Sequence, residues 1–226
     1  MKTKLFLLIV ASFAILLYSA AQNPPLQRGI SVQLAQTTNA EAMPEADNPN
    51  AWIVTVTADG GLYFGTDPVT SEGLYYKMKP RSRKRPKALY VKADARAPYA
   101  SVQRALAGAH AFYDSVILLT AQSEAATASG IVSPHGIEVS ISAPGALLQP
   151  RVQLQAAPDG APTLTVNHQP VSWDALPQTL ANLLQDRQEK VVPVEVTGVV
   201  PFGQIVRVAD LCHSVGARAV LPAPTL

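Results

Sequence analysis

Residues 88–106 read ALYVKADARAPYASVQRAL, and residues 191–209 read VVPVEVTGVVPFGQIVRVA. The two stretches superpose without a gap at an offset of 103 residues. Val91 falls on Val194, Pro98 on Pro201, Tyr99 on Phe202, Val102 on Ile205 and Arg104 on Arg207. Each reads as a strand followed by a helix that opens at its proline, because the missing proline N–H has no intrahelical partner in a first turn. The surroundings repeat as well. AWIVTVT (51–57), Asp59-Gly60-Gly61 and LYF (62–64) read as strand, turn and strand, and so do RVQLQA (151–156), Asp159-Gly160 and TLTV (163–166). GISVQL (29–34) alternates like a short strand and is answered by GIEVSI (136–141). A chain written twice must fold as two like sets of elements, and no other feature restricts it as much.

The remaining elements complete each copy. TSEGLYYKM (70–78) reads as a helix, and Val102, Leu106, Ala109 and Phe112 or Tyr113 recur at helical spacing after Pro98. SVILLT (115–120) reads as a buried strand. In the second copy TLANLLQDRQ (179–188) is helical, followed by strand 191–196, helix 202–215 and strand 218–221. AQTTNAEAMPEADNPN (35–50) has no period and reads as a loop, and AQSEAATASGIVSPH (121–135) as a small-residue linker. The expected fold is α+β, two tandem copies of a small β-β-α-β-α-β unit, each a mixed sheet with helices on one face. The boundaries implied are 1–22, 23–120, 121–135 and 136–226.

The first segment addresses compartment. MKTK precedes LFLLIVASFAILLYSAA (5–21), which is apolar and uncharged. Ser19-Ala20-Ala21 suits signal-peptide cleavage, while a stretch of about 17 residues sits at the lower limit for a membrane span. Lys2 and Lys4 would hold the start in the cytoplasm in either case. The remainder is then expected outside it, as a single-pass inner-membrane protein with a periplasmic body or as a cleaved periplasmic protein. Cys212 is alone, so the chain can form no internal disulfide.

Strand–Asp-Gly–strand, a helix, and then VKADARAPYASVQRAL together resemble the periplasmic domain of the ExbD/TolR family, with WIVTVTADGGLYF in support. The resemblance lies in residues 29–120 and reaches 136–221 through the duplication. It implies a non-enzymatic component of an ion-gradient-powered, TonB- or Tol-type biopolymer-transport system. The partners it implies are an inner-membrane channel-like subunit of ExbB/TolQ type and a TonB/Tol-type protein. It also implies paired periplasmic domains, so the chain is expected to form a homodimer or an intrachain pseudo-dimer. One departure stands out. The family's span carries a proton-accepting carboxylate, and a charge at that depth costs about 2.5–3.5 kcal/mol, yet 5–21 contains no Asp or Glu. The expectation is a member that does not itself carry the proton.

Candidate residues follow from chemistry and position. Asp94 stands just before a helix, where a carboxylate can cap N–H groups, and Thr197 can cap the same way without charge. Asp94 and Tyr99 are candidate partner contacts, although Tyr99 and Phe202 also suit the core. Lys79, Arg81, Arg83, Lys84, Arg85 and Lys87 crowd into KPRSRKRPK (79–87), leaving the rest of the chain net acidic. Such a run is a solvated segment or a site for an anionic partner: anionic lipid, cell-wall polymer or acidic peptide. The compartment argues against nucleic acid. Strand addition at an exposed sheet edge is the expected way to hold an extended partner segment. His110 and His213 both fall late in a helix without a carboxylate or Cys companion at ligand spacing, and Cys212, next to His213, reads as a small helix residue. With no Gly-rich phosphate loop, His-Glu-x-x-His, Gly-x-Ser-x-Gly or acid pair, the sequence points to no enzyme, metal or cofactor. The rival reading is a periplasmic module that binds cell-wall polymer or extended peptides without any motor.

Overall fold

The computed structural model of the chain describes residues 30–122, 134–142, 149–157 and 161–223. The hydrophobic segment 5–21 and the Asp159-Gly160 turn lie outside them. Residues 29–123 and 133–226 belong to one compact unit.

In the first half, strands β3 (Trp52–Val56) and β4 (Leu62–Phe64) form a hairpin continued by β5 (Asp67–Pro68). The leading segment supplies the short strands β1 (Gln36–Thr37) and β2 (Glu41–Ala42). Helix α1 (Ser71–Met78) leads to β6 (Leu89–Ala93), and α2 (Tyr99–His110) leads to β7 (Ser115–Gln122). Both crossovers join parallel neighbours, β3 to β6 and β6 to β7. In the second half β8 (His135–Ser140) precedes β9 (Val152–Gln155), β10 (Thr163–Val166) and β11 (Gln169–Pro170). Then come α3 (Leu176–Leu184), β12 (Val191–Thr197), α4 (Phe202–Ser214) and β13 (Arg218–Val220). Here too β9 runs parallel to β12, and β12 to β13.

The strand path is β11-β10-β9-β12-β13-β8-β7-β6-β3-β4-β5, a single mixed sheet that reads alike from either end up to its middle. Register agrees with the order. Val54 lies between Phe64 and Val91, and Val152 lies between Val166 and Val194. Buried side chains of all four helices join Val54, Val91, Leu118, Val152, Val192 and Val194 in one cluster. The helices therefore cover one face, as the two-residue alternation of these strands requires. A smaller cluster of Ala46, Tyr90 and Leu119, with Leu34 and Met43 against it, closes the other face of the first half.

Three expectations change. Residues 30–34 are not a strand, although they alternate like one. Gln33 spends its N–H on the Asp94 carboxylate and its C=O on the Ala95 amide, so no ladder is available to it. The loop 35–50 contains β1, β2 and a 3-10 turn (Pro44–Asp47). Helix α3 starts at Leu176 and ends at Leu184, earlier than the stretch 179–188, because Pro177 fits its first turn and Leu176 is fully buried.

Candidate partner-binding site

The halves meet where their second helices begin. Pro98 and Pro201 form an antiparallel bridge. Beside it the Tyr99 amide donates to Val200 C=O at 3.0 Å, and the Phe202 amide donates to Ala97 C=O at 2.8 Å. First-turn amides have no partner inside their own helix, and here each is satisfied by the opposite half. Tyr99 and Phe202 are both buried, Phe202 completely. The Tyr99 hydroxyl is enclosed without a hydrogen-bond partner among the described residues, and burial pushes its pKa above the usual tyrosine range.

Asp94 does not cap α2, whose first turn receives no side-chain bond at Pro98. Four residues separate Asp94 from Tyr99, so its carboxylate is spent before the helix opens. It accepts from the Gln33 amide at 2.9 Å and the Arg96 amide at 3.0 Å, and from Arg96 Nε and Nη2 at 2.8 and 2.9 Å. The Arg96 guanidinium holds the carboxyl well below the usual range, against the opposing effect of burial. At the equivalent place Thr197 pairs with Gln155 in the sheet. Asp94 and Tyr99 thus lie inside the fold, while all six basic residues of 79–87 are exposed on a 3-10 turn (Lys79–Lys84) that continues α1 and its exit.

A second buried carboxylate was not signalled by composition. Asp210 of α4 accepts from Thr38 N and Oγ1 at 3.2 and 3.1 Å, and from Asn39 N and Nδ2 at 2.9 and 3.1 Å. A residue of the second half therefore grips the leading segment of the first, while Asp94 grips the same segment at Gln33. The only sign in the sequence was a carboxylate on the apolar stripe of Val206 and Ala209. Its partners stand 171 and 172 residues away, which no local pattern reveals.

The sheet's outer edges are blunt. Strands β5 and β11 are two residues long, and each ends in proline, Pro68 and Pro170, which cannot donate to a further strand. An opening exists instead near the middle. Strand β8 pairs with β2 at His135 and Gly136, and with β13 only at Ser140. Ser140 C=O accepts from Leu221 on the β13 side, and Ile141 N–H points to Asp114 on the β7 side. By strand alternation the Glu138 backbone faces the opening between β2 and β13. A cleft of about 720 Å³ occupies it, with Glu138, Lys190, His213 and Arg218 on its walls. At its rim Arg218 pairs with Glu138 at 3.2 Å, and His213 Nε2 stands 3.5 Å from Glu41 Oε1. A second cleft of about 660 Å³ lies at the seam, between Arg96, Gln36 and Arg207. Arg207 itself stacks over Trp173, 4.3 Å from the ring centre. Among the described residues no group of His, Cys, Asp and Glu is arranged to hold a metal, and no helix is long and apolar enough to cross a membrane.

No curated protein and no solved structure matches the chain. A family profile does: Biopolymer transport protein ExbD/TolR, over residues 5–123. The match runs from the hydrophobic segment to the end of β7 and stops before β8. Covering more than half of the 226 residues, it shows that this chain belongs to the ExbD/TolR family.

Proposed function

We propose that this chain is a non-enzymatic component of an ion-gradient-powered, TonB- or Tol-type envelope transport system, in which its two halves act as a covalent pseudo-dimer that holds partner proteins. The family supports the transport setting. The observation that carries the pseudo-dimer is the reciprocal pair Tyr99–Val200 and Phe202–Ala97. Adding the offset to one donor and subtracting it from its acceptor converts one bond into the other. That exchange is the mark of an isologous contact between two copies, and linking the copies fixes their effective concentration. The absence of Asp and Glu from 5–21 supports a member that does not itself carry the proton.

The partner segment is held at the Glu138 opening, by strand addition along β8. Blunt outer edges and an unpaired position beside a roomy cleft support that placement over the edges β5 and β11. The experiment is cross-linking of the full chain in envelope membranes, with and without Glu138→Pro, which deletes the Glu138 backbone donor. Recovery of a channel-type or TonB-type membrane protein by the native chain, and its loss in the variant, is the expected result. Unchanged capture by the variant would refute strand addition. Recovery of wall polymer with no membrane protein would replace the transport reading with that of a free binding module.

A further inference from the structure

We propose that residues 79–87 form a docking surface for the headgroups of an anionic phospholipid bilayer, a role separate from the partner-binding opening. Lys79, Arg81, Arg83, Lys84, Arg85 and Lys87 are all exposed. The ion pairs among the described residues use Lys77, Arg96, Arg151 and Arg218, and none of these six. No carboxylate occurs between Glu72 and Asp94. Six like charges in nine residues, of which Arg81 also feels the Asp67 carboxylate, repel one another, and a fold that keeps them together gains from an external anion.

The run is also held in place. Lys79 Nζ lies 5.6 Å from the Tyr75 ring centre and the Arg85 guanidinium 5.6 Å from that of Tyr113. The Tyr113 hydroxyl donates to Pro86 C=O at 3.1 Å. A segment pinned at both ends loses less freedom on docking than a loose loop would. Beside it Tyr76 is 67% exposed, edge-on to Tyr75. A tyrosine ring with a polar tip suits the headgroup layer. Neither cleft described above includes a residue of the run. With all six cations exposed, the patch fits a plane of charge better than a polymer strand gripped in a groove. Basic residues at such a surface add their attractions and lose them within a Debye length.

A fluorophore on Ser82→Cys reads the contact directly. Cys212 does not compete for the label, being fully buried with its thiol pushed up to about 12. The full chain is reconstituted into phosphatidylcholine vesicles with or without phosphatidylglycerol, each carrying a headgroup quencher. The uncharged 5–21 segment and its flank are common to every variant, so the substitutions below assign the difference to the run. Quenching is expected on the anionic vesicles alone, to vanish in molar salt, and to drop at least about tenfold when all six cations become Gln. A second variant changing only Arg81, Arg83, Lys84 and Lys87 keeps both ring contacts and is expected to lose most of the signal. Equal quenching on neutral vesicles, quenching that survives the substitutions, or none on either lipid overturns the proposal. So does binding to an acidic wall polysaccharide with no response to anionic vesicles.

Discussion

Pro98 and Pro201 stand opposite each other, and the amide that follows each proline is satisfied by a carbonyl of the other half. Neither helix α2 nor helix α4 can finish its first turn alone without leaving a buried donor unpaired, at about 1–3 kcal/mol each. The halves are therefore expected to unfold together. Urea titration followed by tyrosine emission and by far-UV dichroism should give one coincident transition, with a slope that scales with the whole described body. Sedimentation of the detergent-solubilised chain should give the mass of one copy. Two separated transitions, or a stable dimer, would remove the pseudo-dimer.

Asp94 makes acid stability a sharp test. Its folded pKa is depressed, so its contribution is complete above the ordinary carboxylate range near pH 4 and disappears only as pH falls toward the folded value. Stability from this residue should be level between pH 7 and 5 and decline below about pH 4. Asp94→Asn should cost about 1.5–3 kcal/mol at pH 7, the scale of hydrogen bonds to a charged group. It should also flatten the acid limb of the stability curve. Equal acid limbs in native and variant chains would show that the Arg96 pair contributes nothing to folding.

Asp210 predicts a local effect rather than a global one. Asp210→Ala deletes four acceptor contacts to Thr38 and Asn39. Amide exchange at residues 36–42 should accelerate by at least about tenfold, while α4, an amphipathic helix packed by Ile205, Val208 and Cys212, keeps its protection. Loss of protection throughout α4 would mean that the carboxylate supports the helix instead of the segment lying on it.

The order of strands and helices was legible because period decides it. Val54 and Val56 alternate, Val102, Leu106 and Ala109 recur at helical spacing, and Pro98 and Pro201 were visible as the openings of α2 and α4. Roles that depend on distant partners were not legible. Asp94 looked like a cap from its place before a helix, but the donors that claim it are Arg96 and Gln33, the latter 61 residues away. GISVQL has the alternation of a strand, and nothing in those six letters says that Gln33 bonds elsewhere. Pro68 and Pro170 were signals that could have been used: proline beside a hairpin marks an edge that accepts no further strand. The run 79–87 was plain from composition, whereas its attachment through Tyr75 and Tyr113 required the fold.

Gly108 sets helix propensity against packing. It lies inside α2, where alanine normally stabilises by about 1 kcal/mol. Here α1 crosses so closely that an added Cβ would sit 2.7 Å from Ser71 C=O and 3.1 Å from Leu74 Cδ2. The carbonyl is backbone and cannot rotate away, and Leu74 is completely buried, so α1 must move off the core. Overpacking of this kind costs about 1–3 kcal/mol, which outweighs the propensity gain. Gly108→Ala should therefore lower the thermal midpoint. Because Met78 ends α1 just before the basic turn, the variant should also speed exchange through residues 71–84 while leaving β12 and α4 unchanged. A raised midpoint would mean that α1 yields freely, and that the platform carrying the six cations is less firmly held than its ring contacts imply.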